Sequence, residues 1–122
     1  KHYESAIRSQ LPFFLNFYHQ IETVEGDLEY EQGIRLVTLP GHSPGSQGVL
    51  VDTIDGKYLI AGDIVTYPED WENRVPPGIC NNVADVYDSY AKIEKLNAVV
   101  LAAHDPKVFP KLLGENPYDV VL

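Results

Sequence analysis

The chain has 122 residues, 44% of them hydrophobic, and its 18 acidic against 9 basic side chains give a formal net charge of -9. That length suits one domain with a real core and is short for a two-domain enzyme, while the acidic excess repels a phosphate backbone and argues against nucleic acid as a partner. No apolar run approaches the roughly 20 residues that span a bilayer and nothing resembles a signal peptide, so no membrane partner is expected.

Residues 3–20 place Ile7, Leu11, Phe14, Leu15 and Tyr18 at 3.6-like spacing, which predicts a helix broken around Pro12 and packed on a sheet. Short strands are expected at 21–24 and 34–39, separated by the turn-prone pairs Gly26-Asp27 and Gln32-Gly33. Residues 47–53 and 57–61 flank Asp55-Gly56, a hairpin signal because both turn residues tolerate positive φ. From 66 to 82 the composition changes to Pro68, Pro76, Pro77, Gly78 and charged residues, with Tyr67 and Trp71 among them. A loop of that length is usually functional or disordered, and its aromatics point to an ordered lid. Val83, Val86, Tyr87, Tyr90, Ile93 and Leu96 then form an amphipathic helix stripe capped by Asn81 or Asn82 and ended by Asn97. Residues 98–102 read as a strand buried on both faces, followed by a basic turn at 107–111 and a polar tail with Asn116-Pro117. The lone Cys80 has no internal disulfide partner, which fits a reducing, cytoplasmic setting. Methionine is absent and the chain starts Lys1-His2-Tyr3-Glu4, so it reads as a piece of something longer.

Three apolar runs end on a residue able to bind a metal: His42 in Leu39-Pro40-Gly41-His42-Ser43-Pro44-Gly45-Ser46, Asp63 in Leu59-Ile60-Ala61-Gly62-Asp63, and His104 after Val99-Val100-Leu101-Ala102-Ala103. Prolines and glycines on both sides of His42 fix the direction in which its imidazole leaves the backbone. Imidazole and carboxylate together suit zinc and its first-row neighbours, and the two oxygens of Asp63 allow it to bridge two ions. Three ligands are too few for two ions about 3.5 to 4 Å apart that must also leave a position for water. His2 and His19 lie in the helical segment without ligand-like spacing. Ser43 and Ser46 lack a Gly-x-Ser-x-Gly elbow, Cys80 reads as a buried or lid cysteine with no chemistry, with a place facing the pocket as its alternative, and Gly41, Gly45 and Gly48 match neither a phosphate loop nor a dinucleotide fingerprint.

Pro40-Gly41-His42-Ser43-Pro44-Gly45-Ser46, Ala61-Gly62-Asp63 and Ala103-His104-Asp105, in this order and 21 and 41 residues apart, resemble the second half of the metallo-β-lactamase superfamily. The segment from Gly62-Asp63 through Val75-Pro76-Pro77-Gly78-Ile79, with His104-Asp105-Pro106 and Phe109, most resembles its N-acyl homoserine lactonase branch. The resemblance implies an α/β (α+β) fold, one mixed sheet with flanking helices, as the second half of a four-layer αββα sandwich spanning residues 1–122. It further implies that His42 binds the first metal, Asp63 bridges both and His104 binds the second. The family's His-x-His-x-Asp-His string, source of four more ligands, does not occur between Lys1 and Leu122. The expectation is therefore half an enzyme, inactive alone, whose partner is the missing first half or another copy of the chain and whose exposed sheet face favours association.

The implied activity is hydrolysis of a lactone or ester such as an N-acyl homoserine lactone, a quorum-quenching reaction in which a hydroxide on two zinc ions attacks the carbonyl. Lactonases of this type place a tyrosine three residues after the bridging aspartate. Here that position is Thr66, and Tyr67, next in line, is the candidate acid, with a packing role as its alternative. Trp71 and Ile79 are candidates to cover an acyl chain, although packing on the domain explains Trp71 equally well. Asp105 either orients a metal-binding imidazole or caps a helix before Pro106. Two rival readings stand: a glyoxalase II-like thioester hydrolase, for which Lys107 and Lys111 are the few basic candidates, and a non-catalytic half domain that binds a partner.

Overall fold

A computed structural model of the chain describes residues 17–107. Among the described residues five strands form one sheet in sequence order: β1 (Leu28–Glu31), β2 (Ile34–Thr38), β3 (Gln47–Thr53), β4 (Gly56–Ile60) and β5 (Val99–Leu101). The first four pair antiparallel and β5 pairs parallel to β4, so the sheet is mixed. A parallel neighbour cannot be reached by a tight turn, and the crossover from β4 to β5 carries helices α1 (Pro68–Asn73) and α2 (Val83–Leu96).

A hairpin joins β3 to β4 as expected, but its two turn residues are Ile54 and Asp55, one earlier than Asp55-Gly56: Thr53 pairs with Gly56, which opens β4 at φ +130°, and Asp55 does not take positive φ. The strand expected at 21–24 is not formed. The first strand lies later, at Leu28–Glu31, because the Gln32-Gly33 turn, with Gly33 at φ +83°, folds the chain back there and pairs Leu28 with Leu36. All four residues of β1 are exposed, so turn geometry and ladder hydrogen bonds place this strand where apolar alternation cannot signal it. The helix expected over 3–20 falls mostly outside the described residues, which begin with a short 3-10 turn at Tyr18–Gln20.

The expected lid contains α1. Pro68 occupies its first position, the Asp70 carboxylate accepts the backbone N–H of Tyr67 at 3.0 Å, and Arg74 ends the helix with φ 55°. Six residues are too few to show periodicity, so the proline-rich composition reads as loop. Trp71 packs edge-on against Tyr90 at 5.4 Å between ring centroids, and the Arg74 guanidinium lies 3.7 Å from the Trp71 ring while pairing with Glu94 at 2.6 Å. Trp71 thus ties α1 to α2, and packing is the role the structure gives it.

Asn82 caps α2 by accepting the Ala84 N–H at 2.9 Å, and Asn97 closes it at φ 50°. Its buried face is Val86, Ser89, Tyr90 and Ile93, whereas Val83 and Tyr87 of the predicted stripe are exposed. Val86, Tyr90 and Ile93 join Val37, Leu39, Leu50, Leu59, Ile64 and Val65 in one core between helix and sheet. The opposite face of the sheet is also apolar. Cross-strand register aligns Leu36, Val49, Ile60 and Leu101 in one row and Ile34, Val51, Tyr58 and Val99 in the next. These side chains are partly or largely open, Ile60 at 50% and Val99 at 49%. The strand expected to be buried on both faces is instead a sheet edge among the described residues, three residues long, with Val99 exposed. No helix among the described residues is long and apolar enough to cross a membrane.

Lys92 fastens α2 to the far end of β2. Its ammonium donates to Asp27 Oδ1 at 2.6 Å and to the Thr38 carbonyl at 2.9 Å, and Asp27 Oδ1 also accepts the Thr38 N–H at 2.9 Å. Burial alone pushes the Asp27 carboxyl up, but the Lys92 and Thr38 hydrogen bonds and the Lys92 charge outweigh it and hold the group below the usual carboxylate range. A depressed folded-state pKa stabilises the fold above the unfolded-state value and is lost as pH falls through the folded one. Asp27→Asn should therefore lower stability near pH 7 by about 1 kcal/mol, the worth of a partly exposed charged hydrogen bond. Its thermal midpoint should also decline less steeply than the wild type's between about pH 5 and pH 3, as measured by circular dichroism melts across that range.

Candidate active site

Strand direction explains why residues so distant in sequence meet. β2 is antiparallel to β3, β3 to β4, and β4 is parallel to β5, so β2, β4 and β5 run the same way and their carboxyl ends share one edge of the sheet. His42, Asp63 and His104 follow those three ends by a few residues. Since β2 and β4 flank β3 and lie about 10 Å apart, the loop after β2 must lean toward β4 to bring its imidazole to Asp63.

Gly41 makes that lean possible. At φ +138°, its backbone passes so near α2 that an added Cβ would lie 2.6 Å from Val86 Cγ2, 2.8 Å from the Val86 backbone nitrogen and 2.9 Å from Ile64 Cδ1. The Gly41 carbonyl accepts the N–H groups of Asn81 at 2.7 Å and Asn82 at 3.1 Å. Leu39 N–H bonds the Ser46 carbonyl at 2.8 Å and closes the loop at its base. Ser46 Oγ accepts the Ser43 N–H at 3.0 Å and lies 2.9 Å from Ser43 Oγ, so both serine hydroxyls are engaged in loop structure.

The Asp63 carboxylate sits between the two imidazoles. Oδ1 is 3.1 Å from His104 Nε2 and Oδ2 is 3.7 Å from His42 Nε2. The His42 Nδ1 lies 2.7 Å from the Ile79 carbonyl, which only accepts, so Nδ1 carries the proton and donates it. In the neutral ring Nε2 then presents a lone pair to a carboxylate oxygen, an arrangement that favours a shared cation or proton between them. His104 is held by its backbone: His104 N–H bonds the Thr66 carbonyl and Ala103 N–H the Val65 carbonyl, each at 3.0 Å.

The donor types suit zinc or a similar ion. Among the described residues, no three His, Cys, Asp or Glu side chains are grouped so as to hold one ion. The nitrogens and oxygens on offer are His42 Nε2, His104 Nε2 and the two Asp63 carboxylate oxygens. Tyr67, half exposed, stands beside His104 with ring centroids 6.3 Å apart. Ile79, Cys80 and Asn81 face His42, Ser43 and Pro44 across a cleft of about 230 Å³. Asp105 accepts the Lys107 N–H at 2.8 Å and so closes a turn, with no helix among the described residues there. His19 lies in the 3-10 turn, while His2, Phe109 and Lys111 fall outside the described residues.

Sequence reasoning missed the groups behind His42 and Asp63: the Ile79 carbonyl, Ser89 and the Tyr90 hydroxyl. A backbone acceptor leaves no trace in sequence. Ser89 leaves one, since it stands among the buried positions of α2 between Val86 and Ile93, where a polar side chain needs a partner.

The molecule is thus an α+β domain whose mixed sheet gathers two imidazoles about one carboxylate. A model of the metallo-beta-lactamase superfamily matches residues 1–105, and the chain belongs to that superfamily. An N-acyl homoserine lactonase of a Bacillus species is 41% identical over 54 residues, covering 43% of this chain and 22% of the relative. The N-acyl homoserine lactonase AttM of Rhizobium radiobacter is 36% identical over 72 residues, covering 55% of this chain and 27% of the relative. A solved N-acyl homoserine lactone hydrolase, with the product N-hexanoyl-L-homoserine bound at its catalytic metal centre, matches with a TM-score of 0.64 and 26% identity. That match covers 70% of this chain and 36% of the other. The chain spans about a quarter of the length of these two curated relatives.

The close approach at Gly41 generates a paired expectation. Gly41→Ala should cost about 3 kcal/mol through overlap with the α2 backbone and an unfavourable φ. Gly45→Ala, whose Cβ meets nothing within 4 Å, should change stability by less than about 0.5 kcal/mol. Urea denaturation of the two variants measures the difference.

Proposed function

We propose that the intact protein is a metal-dependent hydrolase that opens a lactone or similar ester, with N-acyl homoserine lactones as its substrate class. His42, Asp63 and His104 would supply part of the ligand set for two zinc ions. The observation that carries the reading is the Asp63 carboxylate facing one imidazole nitrogen with each oxygen. Superfamily membership and similarity to proteins named N-acyl homoserine lactonase support it.

Bound zinc would supply a water-derived nucleophile near neutral pH and stabilise charge developing on the carbonyl oxygen. The chain's own residues prepare for this. With Nδ1–H committed to Ile79, His42 offers Nε2 alone as a ligand. Tyr67, exposed beside His104, donates a hydrogen bond to a substrate oxygen. The cleft between His42 and Ile79 receives the apolar part of the substrate.

The same proposal makes residues 1–122 the second half of an αββα sandwich. Its open apolar sheet face would then be covered by a first-half sheet, which contributes the remaining ligands. The lone cysteine agrees with a cytoplasmic location.

In the intact protein, Asp63→Ala should lose most bound zinc by elemental analysis and slow lactone opening by more than about 100-fold, the upper range for outer-shell partners. Unchanged metal content and rate would sink the proposal. Tyr67→Phe should retain zinc and lower kcat by about 100-fold if its hydroxyl assists a substrate oxygen. Wild-type hydrolysis of lactoyl-glutathione in place of a homoserine lactone would assign it to the thioester hydrolases. Absence of zinc together with a stoichiometric protein partner would mark a non-catalytic half domain.

A further inference from the structure

Two adjacent hydroxyls on the buried face of α2 reach toward both halves of the site. Ser89 and Tyr90 are each 2% exposed. Ser89 Oγ donates to the Pro40 carbonyl at 2.6 Å, two residues before His42. The Tyr90 hydroxyl is shared between the carbonyls of Val75 at 2.8 Å and Ile64 at 3.2 Å. Ile64 directly follows Asp63, and Val75 opens the segment whose Ile79 carbonyl holds His42.

Packing alone does not call for these hydroxyls. Alanine and phenylalanine would fill the same positions without burying a polar group. A mid-helix serine commonly bonds back to the carbonyl one turn earlier, whereas Ser89 bonds a residue 49 positions away. Burial, and next the Asp70 carboxylate, push the Tyr90 phenol up to about 12, so it remains a hydrogen-bond donor throughout the neutral range.

We infer that Ser89 and Tyr90 are positioning residues that hold the His42 loop and the Asp63 turn in register, so that His42 Nε2 faces the Asp63 carboxylate. Consecutive residues of one helix cannot move apart, and the spacing between the Pro40 and Ile64 carbonyls becomes a property of α2. The inference rests on the proposed function for its catalytic consequence, while the geometry belongs to the chain itself.

Ser89→Ala and Tyr90→Phe are to be compared, in the intact protein, with Ile93→Val, a change in the same helix core that removes neither hydroxyl. Amide hydrogen exchange, imidazole 15N shifts and zinc retention against a chelator are the readouts. Ser89→Ala should speed exchange at the Gly41, Ser43 and Ser46 amides about tenfold and shift the His42 nitrogen resonances, leaving β3 and β4 protected. Tyr90→Phe should do the same at Val65, Ala103 and His104. Both should weaken zinc retention about tenfold, and Ile93→Val should reproduce neither local pattern. Equal acceleration across the sheet in all three variants, or unchanged exchange at both loops, overturns the inference. A wild-type protein that takes up no zinc sinks the proposed function instead, and the exchange pattern alone then decides the inference.

Discussion

The passage of the Gly41 backbone against the first turn of α2 is the contact on which the site depends. No side chain fits between Gly41 and Val86, and the Gly41 carbonyl takes two N–H groups from the residues leading into the helix. The loop after β2 is thereby bent over the end of the sheet, and His42 meets the Ile79 carbonyl. A β-carbon at position 41 would hold loop and helix apart, and the imidazole with them. The helix in turn rests on the sheet through Val86, Tyr90 and Ile93, so core packing and site geometry are coupled through one close approach.

Local order at the site comes from backbone pairing more than from the functional side chains. His104 and Ala103 bond the carbonyls of Thr66 and Val65, so the strand end after β5 is zipped to the segment after Asp63. Asp63 and His104 themselves are half or more exposed. Contacts between such groups contribute little stability in high dielectric. Two imidazole nitrogens converging on one carboxylate therefore add little to the stability of the fold.

The sheet is apolar on both faces, but α2 and the core cover only one of them among the described residues. A sheet with one wet face normally alternates apolar and polar positions. Here Leu36, Val49, Ile60 and Leu101 form an apolar row on the open side. The pattern is that of a sheet whose two faces both favour apolar surroundings.

Short-range features were legible in the sequence. The β3–β4 hairpin, a helix cap at Asn81 or Asn82, the Asn97 cap and the strand ends before His42, Asp63 and His104 each follow from a few neighbouring residues with specific φ preferences or periodicity, while the turn position, Ile54-Asp55, and the choice of Asn82 were settled by strand register and helix start. The placement of β1 was not legible, because Gln32-Gly33 and cross-strand hydrogen bonds decide it, and its side chains carry no burial signal. Nor was α1, which a proline at its first position and a single turn and a half of helix conceal. The meeting of His42 with Asp63, the tautomer set by Ile79 and the reach of Ser89 and Tyr90 belong to tertiary structure alone. Each depends on strand direction and helix docking, which bring together atoms tens of residues apart that no local pattern in the chain encodes.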